Sequence, residues 1–184
     1  DIRFQARLLK DQVSLYLDFS GRGLFQRGYR QNTGAAPLKE NLAAALIKRS
    51  GWLNDTSKPL VDPMCGSGTI LIEAISMAAQ QAPGIERQSW GFQHWLAHDK
   101  ELWEQQLENA IQKSQDSKSQ FKGKVFGNDI DARVIKTAQQ NIRNSGLTES
   151  RSTGTLMFKI HSSVKLSSFP IKIPSMDSSH SRSS

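Results

Sequence analysis

The sequence predicts an α/β fold: the first half of a doubly wound parallel sheet, preceded by a β-hairpin. Three observations carry this reading. Leu60 and Val61 run into the turn Asp62-Pro63-Met64-Cys65-Gly66-Ser67-Gly68-Thr69, after which Ile70, Leu71, Ala74 and Ile75 recur at helical spacing. A second β-rich run at 122–126 ends at Gly127-Asn128-Asp129-Ile130-Asp131. Val134, Ile135, Ala138 and Ile142 then line one face of a helix over 132–144, with Gly146 closing it. Strand, glycine turn, helix, strand, acid, helix is the order in which such a sheet begins.

The other elements follow in chain order. Residues 3–9 and 13–19 are alternating or β-rich runs joined by Lys10-Asp11-Gln12, which is a hairpin pattern. Pro37 suits the first position of a helix whose apolar stripe is Leu38, Leu42, Ala45 and Leu46, ending near Ser50 and Gly51. The helix after the glycine turn runs to about Gln81, where Pro83 and Gly84 break it. A segment holding Trp90, Phe92, His94, Trp95, His98 and Trp103 continues as a polar helix through Gln115. Residues 156–166 can hold one more strand. From 167 the chain is dense in serine and poor in apolar residues, so 167–184 is expected to be a disordered tail.

Composition narrows the class. A formal net charge of +7 over 184 residues favours an acidic partner, of which RNA is the commonest, although basic surfaces also serve solubility. The single cysteine, Cys65, excludes an internal disulfide, and no apolar run is long enough to span a bilayer. A reducing, cytoplasmic setting without a membrane partner is the expectation.

The turn at 62–69 suits a nucleotide-type ligand other than a phosphate. A phosphate loop would follow its last glycine with Lys-Ser/Thr, and a dinucleotide fingerprint would need a third glycine where Leu71 stands. Asp62 would repel a pyrophosphate and attract a cation such as an α-amino group. Asp129, at the end of the next strand, can take both hydroxyls of a ribose. An amino group at one strand and a ribose at the next describe S-adenosylmethionine. The alternative is a turn built for close packing alone, with Asp62 capping the helix.

Cys65 has no histidine near it in sequence, and a small side chain in a crowded turn explains it better than a nucleophile does. His94 and His98 are four apart but lack a third ligand, so no metal site is expected. The aromatic residues 90–103 read as a packing cluster over the sheet. Arg27, Arg30, Lys39, Lys48 and Arg49 read as a solvated basic face, or as contacts to an RNA backbone.

Four segments occur in a fixed order: GYRQNTGAAPLKENLAAALIKRSGW at 28–52, DPMCGSGTILIEA at 62–74, APGIERQSWGF at 82–92 and GNDIDARVIKTAQQN at 127–141. With them, residues 1–147 resemble the methyltransferase domain of the THUMP-containing RNA guanine-N2 methyltransferases, most nearly the bacterial branch acting on 23S rRNA. The resemblance implies a Rossmann-like S-adenosylmethionine-dependent fold, present as its N-terminal half. Residues 1–30 would be a hairpin and linker from the THUMP side, and 31–166 a partial methyltransferase domain. Asp62, Met64, Gly66, Gly68 and Thr69 would form the first cofactor loop, with Asp129 and Ile130 around the ribose and adenine. Pro37, Leu38, Lys39 and Glu40 would border the methionine end. The partner implied is large-subunit rRNA.

The departures are as specific. The family carries an acid after the third strand that reads the adenine amino group; by spacing from Phe158 that position is Ser162. The family's Asn-Pro-Pro-Tyr motif, which holds the target amino group, is absent from this sequence. The chain reads as truncated or shifted in frame after about Leu147, and its catalytic residues stay unassigned. The parent function implied is N2-methylation of guanine in rRNA, with little or no transfer expected from this chain. A non-catalytic RNA-binding or cofactor-binding remnant is the competing reading. A DNA amino-methyltransferase shares the chemistry but matches the upstream segments less well.

Overall fold

A computed structural model describes residues 3–30, 37–147 and 158–161. Strands β1 (Arg3–Leu9) and β2 (Gln12–Asp18) form the expected hairpin, from Arg3 opposite Asp18 to Leu9 opposite Gln12. Only Lys10 and Asp11 make the turn, with φ of 50° and 59°. Two successive left-handed residues match the strands' own twist, so the connection is one residue shorter than the sequence suggested.

Helix α1 (Glu40–Ser50) ends at Gly51, whose φ of 72° is the left-handed stop that glycine supplies. Its buried residues are Glu40, Ala43 and Ile47, while Leu42 and Leu46 stay about half exposed. The expected stripe through Leu38, Leu42, Ala45 and Leu46 is therefore rotated. The face with Glu40, Ala43 and Ile47 is the one turned inward, and α1 packs on helix α2 (Thr69–Ala78).

Strands β3 (Leu60–Asp62), β4 (Val125–Asn128) and β5 (Phe158–His161) form a parallel sheet in that order. Leu60 is paired with Val125 and Asp62 with Gly127. Pairing starts at Val125 rather than Lys122 because the preceding backbone is committed elsewhere: a Cβ on Gly123 would lie 2.7 Å from the Thr56 carbonyl oxygen. Helix α4 (Ala132–Asn144) lies against the start of α2, where Gly68 meets Ala138.

Helix α2 is the centre of the core. Leu71, Ile72, Ala74 and Ile75 have no exposed surface, and Val125, Ile135, Ile142 and Leu147 pack with the same cluster. Helix α4 occupies its predicted span and buries its predicted face. Ser145 is its C-cap, and Gly146 follows with φ of 66°.

Helix α3 (Lys100–Gln120) starts later and ends later than expected, with Asp99 capping its first turn. The residues before it form only a short 3₁₀ turn at Gly91–His94. The aromatic residues there are a satellite cluster rather than a cover for the sheet. Trp90, Phe92 and Trp103 meet one another, and Trp95 stacks on Phe19 at the foot of the hairpin. Ser162 and the serine-rich segment 167–184 lie outside the described residues.

Candidate functional site

The parallel register sets Asp62 and Asp129 at the same end of neighbouring strands. Between β3 and α2 the chain must turn sharply. Gly66 and Gly68 do so with φ of 53° and 83°, values an L side chain rarely takes. Gly68 carries a second constraint, since a Cβ there would lie 3.2 Å from the Cβ of Ala138 on α4. At Gly66 a Cβ would meet nothing within 4 Å. One glycine lets the helices close together; the other leaves its backbone open to a ligand.

Backbone amides hold the turn to the second strand. Cys65 donates its amide to the Asn128 carbonyl at 2.7 Å, and Gly66 donates to Asp129 Oδ2 at 3.0 Å. The other oxygen of Asp129 accepts the Asp131 amide at 3.0 Å. Each carboxylate oxygen keeps a further lone pair for a hydroxyl. Asn141 of α4 donates to the Ser67 carbonyl at 3.0 Å. The loop is thus fixed by two elements that follow it in sequence.

Asp62 does not cap α2. Its Oδ1 accepts the Met64 amide at 3.2 Å, and the helix opens at Gly68 without a side-chain cap. The helix-capping role weighed from the sequence is thereby excluded, while close packing at Gly68 is real. Burial holds the Asp62 carboxyl above its ordinary value of 3.8; the Met64 amide draws it down and the Asp129 charge adds to the rise. Two acids with no cation between them among the described residues favour a positively charged group on a ligand.

Met64 and Ile130 stand beside the two acids in sequence, 82% and 87% exposed. They are apolar side chains available to a flat ring. Lys39 precedes α1, and its ammonium lies 5.6 Å from the centre of the Phe25 ring. Thr69 is buried, and its hydroxyl accepts from Arg30 Nη2 at 2.8 Å. The structure therefore brings Asp62, Gly66, Gly68 and Asp129 into one locus, with Thr69 opening the helix behind it. Cys65 is buried, and burial first, then Asp62 and Asp129, push its thiol up to about 12. It stays a neutral thiol in the crowded turn, as its lack of a base suggested.

The arginines correct the sequence reading. Arg27 pairs with Glu73 at 3.2 Å and Arg30 with Glu40 at 3.3 Å, and all four side chains are largely buried. They are not a solvated face with Lys48 and Arg49. Tyr29 adds its hydroxyl to Glu73 at 3.3 Å, and Asn144 donates to the Tyr29 carbonyl at 3.0 Å. These contacts clamp 27–30 to α1, α2 and α4, a role the sequence reading missed. The signal was present: Glu73 interrupts the apolar run of α2, and a buried carboxylate requires a partner.

Solved structures give the class. A Listeria monocytogenes protein, assigned by prediction as an N6-adenine-specific DNA methylase, has a TM-score of 0.70 at 36% identity, over 87% of this chain and 39% of its own. A possible methylase from Clostridium difficile gives 0.72 at 34%, over 86% and 38%. A third protein, assigned as a methyltransferase and complexed with SAH, gives 0.66 at 35%, over 87% and 39%. The fold is a partial domain of the methyltransferase class behind an N-terminal hairpin.

The family is defined more narrowly. The chain belongs to the RMKL-like methyltransferase domain family, whose model matches residues 27–165. It is 73% identical over 146 residues to the ribosomal RNA large subunit methyltransferase K/L of Colwellia psychrerythraea, covering 79% of this chain. The chain spans about a fifth of that relative's length.

Proposed function

We propose that this chain is the cofactor-binding part of an S-adenosylmethionine-dependent methyltransferase whose parent methylates the N2 amino group of guanine in large-subunit rRNA. The observation that carries it is the acid pair at adjacent strand ends, with the Gly66 amide on Asp129 and the Met64 amide on Asp62. Asp62 would hold the α-amino group and Asp129 the ribose, with Met64 in the first cofactor loop and Ile130 beside the adenine. The solved relative with SAH bound supports the cofactor class. The 73% identity to an enzyme named for large-subunit rRNA supports the RNA substrate over the DNA substrate in the name of the 36% relative.

S-adenosylmethionine supplies a methyl group already activated on its sulfonium, so the protein's part is chiefly alignment. The residues described here bind and orient the cofactor. The Asn-Pro-Pro-Tyr motif that would hold the guanine amino group is absent from the sequence. This chain therefore binds cofactor and transfers methyl slowly or not at all. The test is calorimetry with SAH on the full chain. It binds, and Asp62→Ala weakens binding at least about tenfold, the worth of one charge-assisted hydrogen bond. Equal affinity in the two proteins overturns the assignment. A radiolabel assay on unmodified 23S rRNA then compares this chain with a version extended by an Asn-Pro-Pro-Tyr-bearing C-terminus; equal rates overturn the expected inactivity.

A further inference from the structure

The face around the start of α3 opposes the charge of the rest of the chain. A hollow and an acidic helix face adjoin there. The hollow, about 340 Å³, is walled by Phe92, Trp95, His98, Leu102 and Trp103, with Asp99 also lining it. Beside it the open face of α3 carries Glu101, Glu104 and Glu108, next to Asp99 and Leu102. An aromatic hollow thus adjoins an acidic surface.

Trp95 has one ring face covered by Phe19, at 4.4 Å and 3° between planes, yet stays 44% exposed. It is held in place by stacking while still offering surface to a partner. Leu102 is 53% exposed and Leu96 fully so. Residues 99–108 carry four carboxylates against one ammonium, in a chain of net charge +7. That ammonium, Lys100, is spent on Glu104 at 3.6 Å, an exposed pair of little energetic weight.

We infer that this surface docks a basic polypeptide segment, seating an aliphatic or arginine side chain in the aromatic hollow and further cations along the acids. Guanidinium and ammonium groups are attracted to indole faces. Charge complementarity fixes register and partner sign. Nucleic acid is disfavoured here, because the same carboxylates repel phosphates, even though RNA suits the chain's overall charge. The site shares no residue with the Asp62–Asp129 locus and does not depend on the proposed reaction.

The test titrates the full chain with a ten-residue peptide of alternating Arg and Leu, followed by calorimetry and tryptophan fluorescence. Controls are the same peptide with Glu for Arg, and a ten-nucleotide single-stranded RNA. The Arg-Leu peptide binds and the Glu-Leu peptide does not. The triple variant Glu101→Gln, Glu104→Gln, Glu108→Gln, at exposed helical positions, weakens binding at least about tenfold at low salt while SAH affinity is unchanged. Trp95→Ala weakens it by a similar factor. Undiminished binding by the triple variant, binding of the Glu-Leu peptide, or RNA binding that the triple variant weakens overturns the inference.

Discussion

The Gly66 amide and the Asp129 carboxylate are joined at 3.0 Å, which ties the turn after the first sheet strand to the acid that ends the second. A residue expected only to meet a ligand therefore also shapes the loop that meets it. Asp129→Asn keeps one oxygen, enough for either the Gly66 amide or the Asp131 amide, and loses the charge. Asp129→Ala leaves that amide and the Asp131 amide without their acceptor. Both variants should weaken SAH binding; the alanine should lower unfolding free energy by about 1–3 kcal/mol, and the asparagine, which retains one acceptor for the two amides, by less. Urea denaturation beside calorimetry separates the two effects; an asparagine variant as unstable as the alanine would place the charge itself in the fold.

The two glycines of the turn should respond differently to alanine. Gly68→Ala forces a side chain into φ of 83° and against Ala138, so stability should fall by about 2–3 kcal/mol. Gly66→Ala meets open space, so its cost is the positive φ alone, about 1 kcal/mol. Its methyl group nonetheless stands where a ligand would approach, and SAH affinity should fall more than stability does. Equal stability losses would mean that Gly68 is not set by its contact with α4.

Asp62 sets the pH dependence of binding. Burial raises its carboxyl above 3.8, so the proton returns at a higher pH than for an exposed aspartate. Below that raised value the neutral acid loses its charge-assisted bond to an ammonium, and SAH affinity should drop. Stability runs the opposite way. A raised folded value favours the unliganded fold at low pH, and that contribution is lost as pH rises through it. Calorimetry from about pH 4 to 8 should show the decline in affinity at the acid end, and Asp62→Asn should be weak and flat. A parallel slope in Asp62→Asn would assign the titration to another group.

Local chemistry made much of this molecule legible. The glycine turn, the acid after β4 and the amphipathic face of α4 are each set by a few neighbouring residues, and each stands where the sequence put it. The misplaced features depend on distant partners. Which side of α1 is buried depends on its distant partners, α2 and Arg30, so Glu40, Ala43 and Ile47 are buried and Leu42 and Leu46 are not. Arg27 and Arg30 look like surface cations until Glu73 and Glu40 are brought to them by folding. The start of β4 follows from Gly123 passing Thr56. Of the site, the acids were legible, but the fastening of the turn to Asp129 through the Gly66 amide was not, because backbone amides leave no mark on composition.

Glu73 offers the sharpest test of that hidden clamp. It is buried in α2, and burial raises its carboxyl while Arg27 and then Tyr29 draw it down. Arg27→Met removes the compensating charge and should cost about 3 kcal/mol, as expected when one partner of a buried pair is lost. The carboxyl then rises further. By linkage, the fold gains from a protonated Glu73 at low pH and loses that gain as pH rises through the raised value. The deficit of Arg27→Met against wild type should therefore be smaller at about pH 5 than at about pH 8. Adding Glu73→Gln removes the stranded charge, so the double variant should recover most of the lost stability and all of the added pH dependence. Chemical denaturation of the four proteins at both pH values closes the cycle. A double variant as unstable as Arg27→Met alone would show that Arg27 acts through packing rather than through the charge of Glu73.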